Sequence, residues 1–232
     1  MIKQNLFFFV FCVIFQFSAI AQEVNNIDEN GKKHGTWRKF YEGSKQIRYQ
    51  GAFDHGQEVG TFKFYDSKGG HPTAIKIYTV GNELLDVIFY TTEGKKVSEG
   101  KMKQRSREGK WMYYHQDGVK VMTEEYYVNN LLEGERVVYF ENGAIAQRVN
   151  YTKGKENGVE THYSEEGIVV KTYTHVDGKL HGPVKLYELN GTLLREGKYK
   201  DNKKDGTWKY YKNGKLEKTV KFPRNKFGTG TH

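Results

Sequence analysis

The side chains of this 232-residue chain best able to do chemistry are its eight histidines. His162 and His175 are spaced to face each other across one hairpin with Glu160 nearby, and two imidazoles with a carboxylate suit zinc. No H-E-x-x-H pattern or comparable signature accompanies them. His34 and His181 each stand directly before a glycine, in a slot that Asp205 fills elsewhere. A slot reused in this way reads as repeat consensus, with a solvated imidazole in a turn. The run "DNKKDG" at Asp201 to Gly206 begins like a calcium loop, but Lys203 and Lys212 occupy the third and twelfth positions, where oxygen ligands are required. There is no G-x-S-x-G, no phosphate-cradling glycine loop and no plausible carboxylate pair. The expectation is therefore a non-enzyme with no catalytic residue, metal or cofactor, and the His/Glu cluster in one groove is the enzymatic alternative.

The first 21 residues read as a secretory signal peptide. Lys3 precedes an apolar run from Leu6 to Phe17, and Ala19-Ile20-Ala21 forms an A-x-A cleavage site before Gln22. The run is short for a membrane span. Cys12, the one cysteine, lies within the run rather than at the cleavage point, so no lipid anchor is expected. The exported chain, periplasmic or secreted, would then have no disulfide and must be held by its core or by repetition.

Repetition is what the remaining sequence displays. Gly35, Gly60, Leu85, Gly109, Gly134, Gly158, Gly182 and Gly206 recur at intervals of 24 or 25. Five residues after each comes an aromatic: Phe40, Tyr65, Tyr90, Tyr114, Tyr139, Tyr163, Tyr187 and Tyr211. Such a period marks a repeat architecture. A second glycine follows in each unit, often as Asn-Gly or Asp-Gly, which tolerates the positive φ of tight hairpin turns. Short Tyr-, Trp- and Thr-rich runs between glycines favour strands, and no helical apolar stripe is present. The predicted fold is all-β, with eight hairpins in an elongated, twisted antiparallel sheet. Residues 22–29 lead in, 30–222 form the repeats and 223–232 a tail. The period-five aromatics are expected to stack from unit to unit, with Tyr78, Met102, Tyr126, Tyr151, Tyr199 and Phe222 as a further apolar slot. Trp37, Phe62, Trp111 and Trp208, two residues after the glycine, should point to the opposite face from the period-five aromatics unless a bulge intervenes.

The segments "HGTWRKFYEG", "EGKWMYYHQDG" and "DGTWKYYKNG", with the links "NGKLEKTVKF" and "NGTLLREGKYKDNKKDG", resemble the bacterial variant of the MORN repeat. The resemblance runs from residue 30 to 222. It implies an extended curved sheet serving as an assembly or partner-binding scaffold, and it supplies no catalytic residues. Proteins of this type are often labelled antitoxins, so neutralisation of a toxin is a second functional expectation. The third unit departs from the pattern, with Leu85 and Val87 in the glycine and tryptophan slots, and a local distortion is expected there.

Charge singles out one end. Without Lys3 the chain has 36 Lys+Arg against 28 Asp+Glu, and from Arg195 onward the count is twelve against four. Lys200, Lys203, Lys204, Lys209, Lys212, Lys215, Lys218 and Lys221 form a basic pole. It either protects an exposed sheet edge or docks on an anionic partner, a protein or an envelope surface. Export argues against a nucleic acid, although the interleaved Trp208, Tyr210 and Tyr211 could stack on bases.

Overall fold

The computed structural model describes residues 24–223, and the segment read as a signal peptide lies outside them. Twenty strands form one open, antiparallel sheet with no helix among the described residues. The eight hairpins pair Lys33–Phe40 with Ile47–Asp54, Gln57–Phe64 with Ala74–Tyr78, Leu84–Tyr90 with Lys96–Lys103, and Ser106–Tyr114 with Val121–Val128. They continue with Gly134–Tyr139 and Ile145–Thr152, Gly158–Tyr163 and Val169–Val176, Gly182–Tyr187 and Leu193–Lys200, and Lys203–Lys212 and Lys215–Phe222. Each hairpin bonds to the next, so the sequence order is the sheet order.

The first glycine of each unit has a structural task. Gly35, Gly60, Gly109, Gly134, Gly158, Gly182 and Gly206 all have positive φ, from 63° to 116°. This is the left-handed region that only glycine enters without steric cost. At Gly60, Gly109 and Gly206 the ladder to the preceding strand bulges, so that three residues oppose one. In units five to seven the strand is interrupted just before the glycine. Leu85 cannot take that conformation, and there the ladder runs on without a register shift. The third unit is thus the most regular of the set, and the irregularity lies in the loop before it, around Gly70 and Pro72.

Packing collects on one face. Directly opposite the first glycine of each unit sits Phe53, Tyr78, Met102, Tyr127, Tyr151, His175, Tyr199 or Phe222. The apolar slot therefore contains Tyr127, which is 4% exposed, and not Tyr126, which is 50% exposed. Trp111, Phe62, Trp208, Val87 and Val184, two residues after the glycine, are buried on this same interior face.

Candidate functional site

Along the interior face an aromatic ring lies flat over a glycine of the preceding strand. Phe62 covers Gly51, Trp111 covers Gly100 and Trp208 covers Gly197, each eleven residues apart. The bulge supplies the extra residues that carry the ring across. The Trp111 and Trp208 indole N–H groups donate to the carbonyls of Lys101 and Lys198 at 3.0 and 3.2 Å, so the buried indoles keep their hydrogen bonds. In units one, four and eight a cation two residues before the glycine lies against the interior rings, a position that Glu58 fills in the Phe62 unit. Lys33 Nζ is 4.7 Å from the Trp37 and Phe53 ring centres, the Arg107 guanidinium 3.9 Å from Tyr127, and Lys204 Nζ 4.2 Å from Trp208.

In the middle of the sheet this packing is exchanged for a polar network. The two-after-glycine slot holds Arg136 in unit five and Glu160 in unit six. Arg107 donates to the Tyr127 hydroxyl at 2.6 Å, and Tyr127 donates to Glu125 at 2.6 Å. Arg136 bridges Glu125 at 3.0 Å and Gln147 at 3.2 Å, and Gln147 donates to Glu160 at 2.5 Å. The two Glu160 oxygens then receive His162 Nε2 and His175 Nε2, both at 2.7 Å. Glu156 Oε2 lies 3.1 Å from His175 Nδ1, out of line for a hydrogen bond. Burial pushes the Glu160 carboxyl upward, but the hydrogen bonds from His175, Gln147 and His162 outweigh it and hold the group below the ordinary carboxylate range. Burial, with hydrogen bonds to Glu125 and Tyr113, drives the Tyr127 hydroxyl far above an ordinary phenol.

The structure therefore brings His162, His175 and Glu160 together, as their spacing suggested. The carboxylate stands between the imidazoles, one oxygen on each, so the three serve one another rather than a common centre. The sequence offers Arg107 only as part of a smaller basic run from Lys101 to Lys110, and it does not point to Glu125, Arg136 or Gln147. The signal that could have found Arg136 was the loss of an aromatic from a slot that elsewhere carries one.

The period-five aromatics do not form the stack expected of them. Phe40 is 44% exposed and none of the eight is buried. Strand alternation turns them to the opposite face, where their hydroxyls meet a polar residue fifteen positions earlier. Tyr65 accepts from Gln50 at 3.0 Å, Tyr211 donates to Glu196 at 2.9 Å, and Tyr114 donates to Glu99. This outer face also has shallow depressions of about 310, 330 and 340 Å³ at Gly51, Gly100 and Gly197, rimmed by Lys63, Lys101 and Lys209 among others.

The C-terminal lysines divide between faces and ends. Lys204 and Lys218 lean on interior rings, Lys218 at 5.2 Å from Tyr210. Lys209 pairs with Glu196 at 3.2 Å. Lys200 stands opposite Lys203 at one hairpin turn and Lys212 opposite Lys215 at the other. These four and Lys221 are exposed and form no ion pair among the described residues.

An open single-layer sheet of tandem hairpins with a shared interior slot defines a repeat protein. The MORN repeat variant model matches it at residues 132–153, 180–201 and 204–222, in units five, seven and eight. Unit six, which carries Glu160, His162 and His175, lies between two of these stretches. No curated protein matches the chain. Among solved structures, a crystal structure of a mutant S. aureus TarM in complex with fondaparinux, alpha-GlcNAc-glycerol and UDP is 16% identical over 61% of this chain and 20% of that one. Its TM-score is 0.26.

Proposed function

We propose that the chain is an exported, non-catalytic repeat scaffold whose sheet binds an extended partner, anchored by the basic last hairpin to an anionic protein or envelope surface. The observation that carries this is the pair of like-charged cross-strand neighbours, Lys200 with Lys203 and Lys212 with Lys215. Like charges directly opposite each other in a sheet are destabilising. Neither pair is closed by an ion pair, although Asp201 and Asp205 lie beside the first, so a net positive charge stays available to something outside the fold. The Glu160 carboxylate, already taken up by three donors, supports a structural rather than a catalytic role for the central network.

The test is a pull-down from the cell envelope with the wild-type chain and with Lys203, Lys212 and Lys215 all changed to Glu. The wild type should capture its partner in a salt-sensitive way and the variant should lose it. Recovery of the same partner with the same salt sensitivity would overturn the role of the pole. A tight one-to-one complex with a single protein, indifferent to these lysines, would instead mark a neutralising function. The intact mass of the exported chain should correspond to a first residue of Gln22.

A further inference from the structure

Where the first hairpin meets the second, the side chains of Asp28, His34, Asp54 and His55 converge. His34 Nδ1 lies 3.5 Å from Asp54 Oδ1, and His55 Nε2 lies 3.8 Å from the same oxygen. Donor atoms of all three lie within 4.8 Å of one another, and the two imidazole rings are 4.8 Å apart. Zinc bonds nitrogen and carboxylate oxygen at about 2.0–2.2 Å, so ligands around a tetrahedral ion stand roughly 3.3 Å from each other. The two contacts to Asp54 need to close by only about 0.2 and 0.5 Å to reach that spacing and the widest donor pair by up to about 1.5 Å, a movement open to exposed side chains, with His34 Nδ1 giving up a long contact from the His55 backbone N–H at 3.5 Å.

The second observation concerns His55. Its Nδ1 lies 2.7 Å from Asp28 Oδ2. That carboxylate is 7% exposed and is fixed in turn by the backbone N–H groups of Lys32 at 2.8 Å and Asn30 at 2.9 Å. An imidazole whose Nδ1–H is held by a carboxylate presents a lone pair at Nε2, the atom facing Asp54. This is how outer carboxylates orient metal-binding histidines. His55 is also held at φ 44°, in the left-handed region that histidine, asparagine and aspartate enter more readily than other non-glycine residues.

The repeat supplies its own comparison. In unit seven the same two slots hold His181 and Asp201, with Nδ1 and Oδ1 3.7 Å apart. The residue after the aspartate there is Asn202, whose side-chain oxygen accepts the Leu180 N–H. Consensus therefore accounts for the His–Asp pair, but not for the second imidazole or its buried carboxylate in unit one.

We propose that His34, Asp54 and His55 form a binding site for a divalent transition metal of the zinc class, with Asp28 as the positioning carboxylate. Two imidazoles and a carboxylate favour zinc, copper or nickel over magnesium or calcium. Three protein donors leave a coordination position open to water or to a group from another molecule.

The test is calorimetric titration of the chain with zinc chloride in a non-chelating buffer. One saturable site is expected. His55→Asn converts the site to the unit-seven arrangement in a backbone conformation asparagine accepts, so the fold should persist by circular dichroism while zinc affinity falls at least tenfold. Asp28→Asn keeps all three ligands and should weaken binding about 10- to 100-fold. His181→Ala should change nothing. Absence of saturable binding by the wild type, or unchanged affinity in His55→Asn, would overturn the site.

Discussion

Gly197→Ala separates two opposite expectations for a glycine within a strand. Gly197 does not have a positive φ, so alanine is conformationally acceptable there. If only backbone entropy mattered, the change would stabilise the fold by about 0.4–1 kcal/mol. The added methyl carbon, however, would lie 2.4 Å from Trp208 Cδ2 and 2.5 Å from Cε2. Those ring atoms cannot swing away as the end of a flexible chain could. The indole is 1% exposed, tied to the Lys198 carbonyl, and edged by Tyr199 at 5.3 Å and Phe222 at 6.1 Å. Overpacking of this kind costs about 1–3 kcal/mol, and complete expulsion of a tryptophan costs about 3–5 kcal/mol. After the entropy gain is subtracted, the expected net loss is about 2 kcal/mol. At a slope of about 2 kcal/mol per molar urea, the midpoint should fall by roughly 1 M. Indole fluorescence should red-shift as Trp208 loses its enclosure. The chain itself shows the relief: Val184 and Val87 occupy the aromatic slot where the residue eleven earlier is Tyr173 or Lys76. Gly197→Ala should therefore cost less than about 0.5 kcal/mol when Trp208 is already Val, a coupling that a double-mutant cycle measures directly. A neutral or stabilising Gly197→Ala, or an equal penalty in both backgrounds, would refute the reasoning.

Three further outcomes follow from the same structure. Because the fold holds the Glu160 carboxyl below its ordinary value of 4.5, its stabilisation is complete above that pH and is lost as pH falls through the lower folded value; Glu160→Gln should flatten the acid limb of a stability profile measured between about pH 5 and pH 3. Tyr127→Phe removes one hydrogen bond from each of Arg107 and Glu125, both bonded to the hydroxyl at 2.6 Å and both keeping other partners, and chemical denaturation should show a loss of about 1–2 kcal/mol. At Gly60, where φ is 66° and nothing lies within 4 Å of an added carbon, alanine should cost about 1–2 kcal/mol through backbone strain alone, and asparagine visibly less.

The fold was legible because its grammar is local. A glycine that must turn left-handed and an Asn-Gly that must close a hairpin repeat at one period, and those two facts settle the strands and their order. What the period could not settle was which recurring aromatic is buried. The eight residues five after the glycine are the most constant, and constancy suggested a core. Alternation places them on the outer face, where a hydroxyl paired with a residue such as Glu196 or Gln50 is reason enough to repeat. The slot that is buried varies freely among Trp, Phe, Val, Arg and Glu, so its importance was hidden by its variety. Tyr126 and Tyr127 show how fine the margin is: one residue of register separates an exposed ring from one of the most buried. His175 escaped the apolar slot because it is not apolar, although it stands where Phe53 and Tyr199 stand in their units. The His55 cluster was missed because consensus explained His34 and left the Asp28 partner, outside the repeat, unread.

The variety of that buried slot also answers a problem that repetition creates. Identical hairpins stacked in series can slip by one unit, since an aromatic ring finds a similar bed in either register. With Trp over Gly in every unit, nothing would distinguish the two alignments. The central network distinguishes them. In the native register Arg136 meets Glu125, and Glu160 meets Gln147, His162 and His175. A one-hairpin slip would set Arg136 over Gly100 and bring Glu125 against Glu160, leaving a partly buried guanidinium without its carboxylate and two carboxylates together. Removing one partner of a fully buried pair costs about 3–5 kcal/mol, and even the smaller penalty due to a partly exposed Arg136 separates two apolar registers that are otherwise alike. The polar middle of the sheet is weaker than a well-packed apolar one, and it fixes which hairpin lies beside which.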